Sequence, residues 1–205
     1  MKIFKYVLMF ILIASTMALA GCGGDKFAGK WYAIDEEYKL IYMLDITKNG
    51  ENYIVKLNDV RYAPEFKQVG TDTVEREEFA GWFRDKVKRQ YQVPIYDVTL
   101  NLKVENISQT TEVENKGQLG KHYTYIEKDG TLQGSGRWSS QKFTFTKGGE
   151  KDLIKKYQTI ISAYYDKAKS GEVQIDVKGN DWKYDKGGNK IKDYKFNEEL
   201  PQELK

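Results

Sequence analysis

Apolar and polar residues alternate with a period of two along several stretches of this chain. Val98, Leu100, Leu102 and Val104 interleave with Thr99, Asn101 and Lys103, which predicts a half-buried strand with one wet face. Lys142 to Thr146 (KFTFT) alternates in the same way. Further strands are predicted where Gly29-Lys30-Trp31-Tyr32 opens one, and at Leu40–Ile46, Tyr53–Leu57, Tyr123–Ile126, Leu132–Trp138 and Val173–Val177. Turn chemistry separates them. Asn49-Gly50 lies between two strand-like runs and predicts a hairpin with positive φ at both turn positions. Lys128-Asp129-Gly130 predicts another. These connections are short, so the expected sheet is an antiparallel meander without βαβ crossovers.

Two segments break the strand rhythm. In Glu150 to Ser170, Leu153, Ile154, Tyr157, Ile160, Ile161, Tyr164, Tyr165 and Ala168 fall on one stripe at helical spacing. Glu150 and Asp152 lie in the first turn, Lys167 and Lys169 in the last, and Gly171 is placed to cap the end. This predicts an amphipathic helix whose stripe is a core face. Asp72 to Gln90 is expected to form a second helix. Phe79, Trp82, Phe83 and Val87 share a face, Asp72 and Glu75 have capping-box-like spacing, and Pro94 lies beyond the end, although Gly81 interrupts the run. The basic cluster Lys86, Lys88 and Arg89 is then expected to complement the helix C-terminus and face solvent.

The beginning of the chain follows neither pattern. Lys2 and Lys5 precede Val7 to Ala18, an almost wholly apolar run shorter than the roughly 20 residues of a membrane-spanning helix. Small residues follow, and then Cys22, the single cysteine. Leu19-Ala20-Gly21-Cys22 resembles the lipobox of bacterial lipoproteins. The resemblance implies that the Cys22 thiol carries a diacylglycerol, that residues 1–21 are removed as a signal peptide, and that further acylation (palmitate) completes the anchor. It also implies a cell-envelope location, lipid-anchored to the outer face of a bacterial membrane. Gly23 follows the cysteine where some bacteria place an inner-membrane-retaining aspartate, which favours the outer membrane in an organism that has one.

Charge and cysteine use fit an exported, disulfide-free protein. The chain has 33 basic and 30 acidic side chains. Removing Lys2 and Lys5 leaves 31 against 30, a mature net charge near +1, and so no electrostatic footprint for nucleic acid. With no second cysteine the stability must come from a core, and this length suits one domain.

Gly29-Lys30-Trp31 is similar to the G-x-W signature at the first strand of lipocalins and lipocalin-like proteins. The resemblance implies an up-and-down β-barrel whose base is closed by Trp31, followed by a helix and a short last strand. It also implies an arginine packed on the Trp, for which Arg137 is the candidate. The expected fold is therefore mainly β: an antiparallel, lipocalin-like barrel with a C-terminal amphipathic helix. The alternative is an open α+β antiparallel sheet packed on the 150–170 helix. The expected organisation is signal 1–21, lipidated tether 22–28, β domain 29–178, and a polar tail 179–205. In that tail Trp182, Tyr184, Ile191, Tyr194 and Phe196 form a solvated hairpin about Gly187-Gly188.

The candidate chemistry is sparse. His122 is the sole histidine, so a multi-histidine zinc site is excluded. Ser135 in Gly134-Ser135-Gly136 lacks the nucleophile-elbow pattern. Glu75, Glu77 and Glu78 read as solvated charge, and Gly148-Gly149 as a helix lead-in. Asp181, Asp185 and Asn189 do not have calcium-loop spacing. No metal, cofactor or enzymatic activity is expected. The two functions that remain are a non-enzymatic interaction or structural role with an envelope protein partner, and lipocalin-like binding of a small apolar or lipid ligand. Large inward side chains at Tyr42, Leu44, Leu100 and Leu102 predict a filled interior.

Overall fold

The computed structural model describes residues 25–81, 85–114, 123–137, 141–175, 177 and 188–205, without the side chains of 106–111, 113 and 114. Its elements are β1 (Gly29–Asp35), β2 (Leu40–Asn49), β3 (Asn52–Ala80), β4 (Asp85–Glu114), β5 (Tyr123–Ile126), β6 (Thr131–Ser135), β7 (Lys142–Lys147), α1 (Glu150–Lys169), β8 (Lys190–Phe196) and a 3-10 turn (Gln202–Leu204). The eight strands form one sheet in the order β5-β6-β7-β1-β2-β3-β4-β8. β5/β6 and β6/β7 are antiparallel, whereas β8 runs parallel to β4, so the sheet is mixed.

The sheet is not closed into a barrel among the described residues. The end strands of the sheet, β5 and β8, are not neighbours in it, and β8 occupies the Ile95–Leu100 edge of β4. Among the described residues the chain is thus mainly β, with one long helix beside an open mixed sheet.

The chain divides into two compact units. Among the described residues, the first comprises those of 25–31, Met43–Leu57 and Ser108–Gly148. Its core is aromatic and branched: Phe27, Trp31, Leu44, Ile46, Val55, Leu132 and Phe145 are all at most 2 % exposed. The predicted hairpin at Lys128-Asp129-Gly130 is present, with Gly130 at φ 62 and its N–H donated to the Ile126 carbonyl at 2.9 Å. The Asn49-Gly50 turn is displaced by one residue. Asn49 is the last residue of β2, and only Gly50, at φ 60, takes the positive φ.

The second unit comprises Tyr32–Tyr42, Asn58–Ile107 and Gly149–Lys205. Here α1 forms where its stripe predicts, burying Ile154, Tyr157, Ile161, Tyr165 and Ala168 at spacings of three and four. Its end is a Schellman cap. Glu172 N–H donates to the Lys167 carbonyl (2.9 Å) and Gly171 N–H to that of Ala168 (3.2 Å), with Gly171 at φ 80. Tyr157 donates its hydroxyl to the Lys39 carbonyl at 2.6 Å, and its ring stacks on Tyr62 of β3 at 5.5 Å. Tyr165 packs on Tyr194 of β8. Tyr42, Leu100 and Leu102 are buried in this unit, as Leu44 is in the first.

Further expectations are corrected. The helix expected at 72–90 is instead the far part of a long β3–β4 hairpin, with Gly81 (φ 74) following β3. Residues 71–80 alternate strictly between exposed and half-buried, a two-residue period. Lysines meet glutamates across the hairpin, Lys88–Glu75 at 2.8 Å and Lys86–Glu77 at 3.1 Å. Spacing within one segment could not reveal charges complementary to a second strand. The basic cluster therefore does not sit at a helix end: Lys86, Lys88 and Arg89 face Glu77, Glu75 and Glu78. Trp82 and Phe83 lie outside the described residues.

Of the predicted tail hairpin, Trp182, Tyr184 and Gly187 lie outside the described residues, and the described part is packed rather than solvated. Ile191 is buried, Phe196 packs on Tyr62 at 4.9 Å, and the backbone from Lys190 to Phe196 pairs with β4. An alternating segment meets an unfilled strand edge far away in sequence, which local turn signals could not indicate. Val173–Val177 does not form the predicted last strand among its described residues, although Ile175 is buried.

Candidate functional site

A dense arrangement of specific contacts lies in the first unit, around Asp25 and Trp31. Asp25 organises the entry of the chain into the fold. Its Oδ1 accepts the N–H groups of Phe27 (2.9 Å) and Ala28 (3.1 Å), an Asx-type turn. Its Oδ2 accepts the Tyr53 hydroxyl at 2.5 Å and lies 3.6 Å from the Lys48 ammonium. Its backbone carbonyl accepts from Lys147 Nζ at 3.1 Å. Burial acts to raise the Asp25 pKa, but the hydrogen bonds from Tyr53, Phe27 and Ala28 and the charge of Lys48 outweigh it. The carboxyl is held below its ordinary range. Burial, and then the adjacent carboxylate, push the Tyr53 hydroxyl up to about 12.

The turn delivers Phe27, 1 % exposed, into the core. Phe27 stands edge-on to both Tyr53 and Tyr125 at 5.4 Å. Its carbonyl accepts the Trp31 indole N–H at 2.7 Å, satisfying the one polar atom of a fully buried ring. A cation lies over that ring: the Lys147 ammonium, 5.6 Å from the centroid. Gly29 makes this possible. It has φ 123, and a Cβ there would come within 3.0 Å of Lys147 Cε. The Gly29-Lys30-Trp31 motif therefore has a local physical basis, a bare backbone position beside the lysine stem and an indole two residues on. The Lys26 ammonium lies over Phe27 and Tyr125 at 4.9 and 5.1 Å.

Of the other predicted positions, Cys22, His122, Asp181 and Asp185 lie outside the described residues. Arg137 is half-buried, and Ser135 is exposed at the end of β6. Glu75, Glu77 and Glu78 are not a cluster. Alternation puts Glu78 on the opposite face from Glu75 and Glu77, where it accepts the Tyr91 hydroxyl at 2.5 Å. Sequence reasoning named Gly29 and Trp31 but missed Asp25, Phe27, Tyr53 and Lys147. The available signal was an aspartate two residues before an aromatic, the Asx-turn pattern.

In the second unit, Tyr32, Ile41, Val60, Glu150, Leu153, Ile154 and Leu204 line a narrow crevice that has no room for a water molecule. No protein-family model, curated protein or solved structure matches this chain.

The Asp25–Trp31 cluster holds and positions: it fixes the polypeptide three residues beyond Cys22. At acid pH this should weaken. A folded-state pKa below the unfolded value contributes stability above the unfolded value, and that contribution is lost as pH falls through the folded one. Urea unfolding of the wild type should therefore lose stability below about pH 4. Asp25→Asn, which keeps the shape but not the charge, should lose about 1–3 kcal/mol at neutral pH and show a shallower acid dependence. Identical acid slopes for the two proteins would remove Asp25 from this role.

Proposed function

We propose that this chain is a cell-envelope lipoprotein, anchored through Cys22 to the outer face of a bacterial membrane, whose folded part serves as a non-enzymatic interaction or structural module. The observation that carries this reading is the junction. The Leu19-Ala20-Gly21-Cys22 lipobox is separated from the first locked residue, Asp25, by Gly23 and Gly24 alone. Acyl chains contribute about 0.8 kcal/mol per buried methylene, so a multiply acylated cysteine anchors firmly without a spanning helix.

The finer fold reading belongs to the same proposal. Strand order and the packing of α1 support the open sheet with a helix over the lipocalin-like barrel, with a parallel strand at the β4 edge. The densely filled core supports the interaction role over capture of a small apolar ligand. Trp31, Tyr32, Tyr42, Tyr157 and Phe145 are each at most 1 % exposed, and the crevice by α1 is too narrow to admit a water.

The test is expression of the full chain in a lipoprotein-processing bacterium beside Cys22→Ala. The wild type should sediment with membranes, and mass spectrometry should find a diacylglyceryl thioether on Cys22 as the new N-terminal residue. The variant should retain residues 1–21 and take up no lipid. An unmodified Cys22 in the wild type would overturn the reading. Crosslinking of the lipidated protein in its own membrane then seeks the envelope partner.

A further inference from the structure

We infer that the end of the first unit around Asp25 rests on the zwitterionic phospholipid headgroups of the membrane that holds the anchor. This inference rests on the Cys22 lipidation proposed above. Three peptide units join Cys22 to Asp25, so their Cα atoms are at most about 11 Å apart whatever path the chain takes. The headgroup layer of each leaflet is itself about 5–8 Å thick. A cysteine whose lipid begins at glycerol depth therefore cannot let Asp25 rise more than a few ångströms above the headgroups.

Asp25 adds no slack. Backbone N–H groups, the Tyr53 hydroxyl and the Lys147 ammonium hold its two ends, and Phe27 behind it is buried. Whatever surrounds Asp25 must then face the lipid. Two turns do so. Lys48 pairs with Asp25 just before the turn at 50–51, and Lys26 pairs with Glu127 of the turn at 127–130. The side chains there are open to solvent: Lys26 is 45 % exposed, Lys48 56 % and Glu127 84 %. The same two turns carry further exposed charges of both signs, Glu51, Lys128 and Asp129. A mixed rim without excess of either sign is complementary to headgroups that carry a phosphate and an amine together, whereas a polybasic surface would select anionic lipid.

The experiment is hydrogen exchange on the purified, lipidated full chain in vesicles of phosphatidylcholine and phosphatidylethanolamine. The comparison is a lipidated variant with about twelve Gly/Ser residues inserted between Gly24 and Asp25, a spacer of roughly 20 Å. Peptides over 49–52 and 127–130 should exchange about threefold or more slowly in the wild type. Matching circular dichroism and melting temperatures establish that the insertion leaves the fold intact. Equal exchange in two proteins that both carry the Cys22 lipid overturns this inference and leaves the lipoprotein reading standing. Absence of the lipid in the same mass spectra overturns both. Protection that appears only when anionic lipid is added overturns the zwitterionic assignment.

Discussion

Trp31→Ala should lose about 3–5 kcal/mol of unfolding free energy in urea titrations, the usual cost of truncating a large buried aromatic. Three separate losses act together. The indole is 1 % exposed, so the substitution leaves a cavity bounded by Tyr125 and the Lys147 side chain. The Phe27 carbonyl loses the donor it meets at 2.7 Å and stays buried. Lys147 loses the ring face beneath its ammonium. Trp31→Phe separates these contributions. It restores much of the ring but not the N–H, and should cost about 1–3 kcal/mol. Against a total of about 5–15 kcal/mol for a domain this size, the alanine variant should lose at least about a fifth of its stability. A loss below about 1 kcal/mol for Trp31→Ala would mean that the indole does not organise this unit.

Tyr157→Ala should be as damaging in the second unit, again about 3–5 kcal/mol. Tyr157 is fully buried, stacks on Tyr62, and donates to the carbonyl of Lys39, the non-glycine residue held at φ 51 in the β1–β2 turn. Asp35 secures the same turn by accepting the Tyr38 N–H at 3.0 Å. Tyr157→Phe keeps the ring and removes the hydroxyl, for an expected loss of about 1–2 kcal/mol from the unsatisfied carbonyl.

The phenol also makes stability depend on alkaline pH. Burial raises the Tyr157 pKa well above 10, and burial raises Tyr165 to about 12. A raised folded-state value contributes fully below the unfolded pKa near 10 and is lost as pH rises through the folded one. Above pH 10 the wild type should therefore lose stability faster than Tyr157→Phe, and the gap between them should close by about 1.4 kcal/mol per pH unit. A gap constant from pH 8.5 to about 11.5 would show that the hydroxyl is not sequestered as described.

The two sites were not equally legible. The helix carrying Tyr157 was readable because its stripe, its terminal charges and Gly171 all lie within one segment and agree. Trp31 was readable as a motif, but its partners were not. Asp25, Tyr53 and Lys147 come from three separated stretches, and nothing local marks a lysine as the cation over a given ring. The hairpin at 72–90 misled for a related reason. Phe79, Trp82, Phe83 and Val87 have acceptable helical spacing, whereas the glutamate–lysine pairs that hold the strands together become visible only when both strands are in place.

By itself the sequence determined the short-range features of this protein: strands with period-two alternation, α1 with its glycine cap, the glycine turns, and the apolar run that precedes Cys22. These depend on φ preferences, side-chain periodicity and capping, all of which act within a few residues. The tertiary structure decided which edge β8 fills, that the sheet stays open and mixed, that residues 72–90 form a hairpin, and that Asp25 joins the fold. Each of those is a competition among partners distant along the chain, settled by which edges, charges and aromatic faces are left unfilled once the local elements have formed.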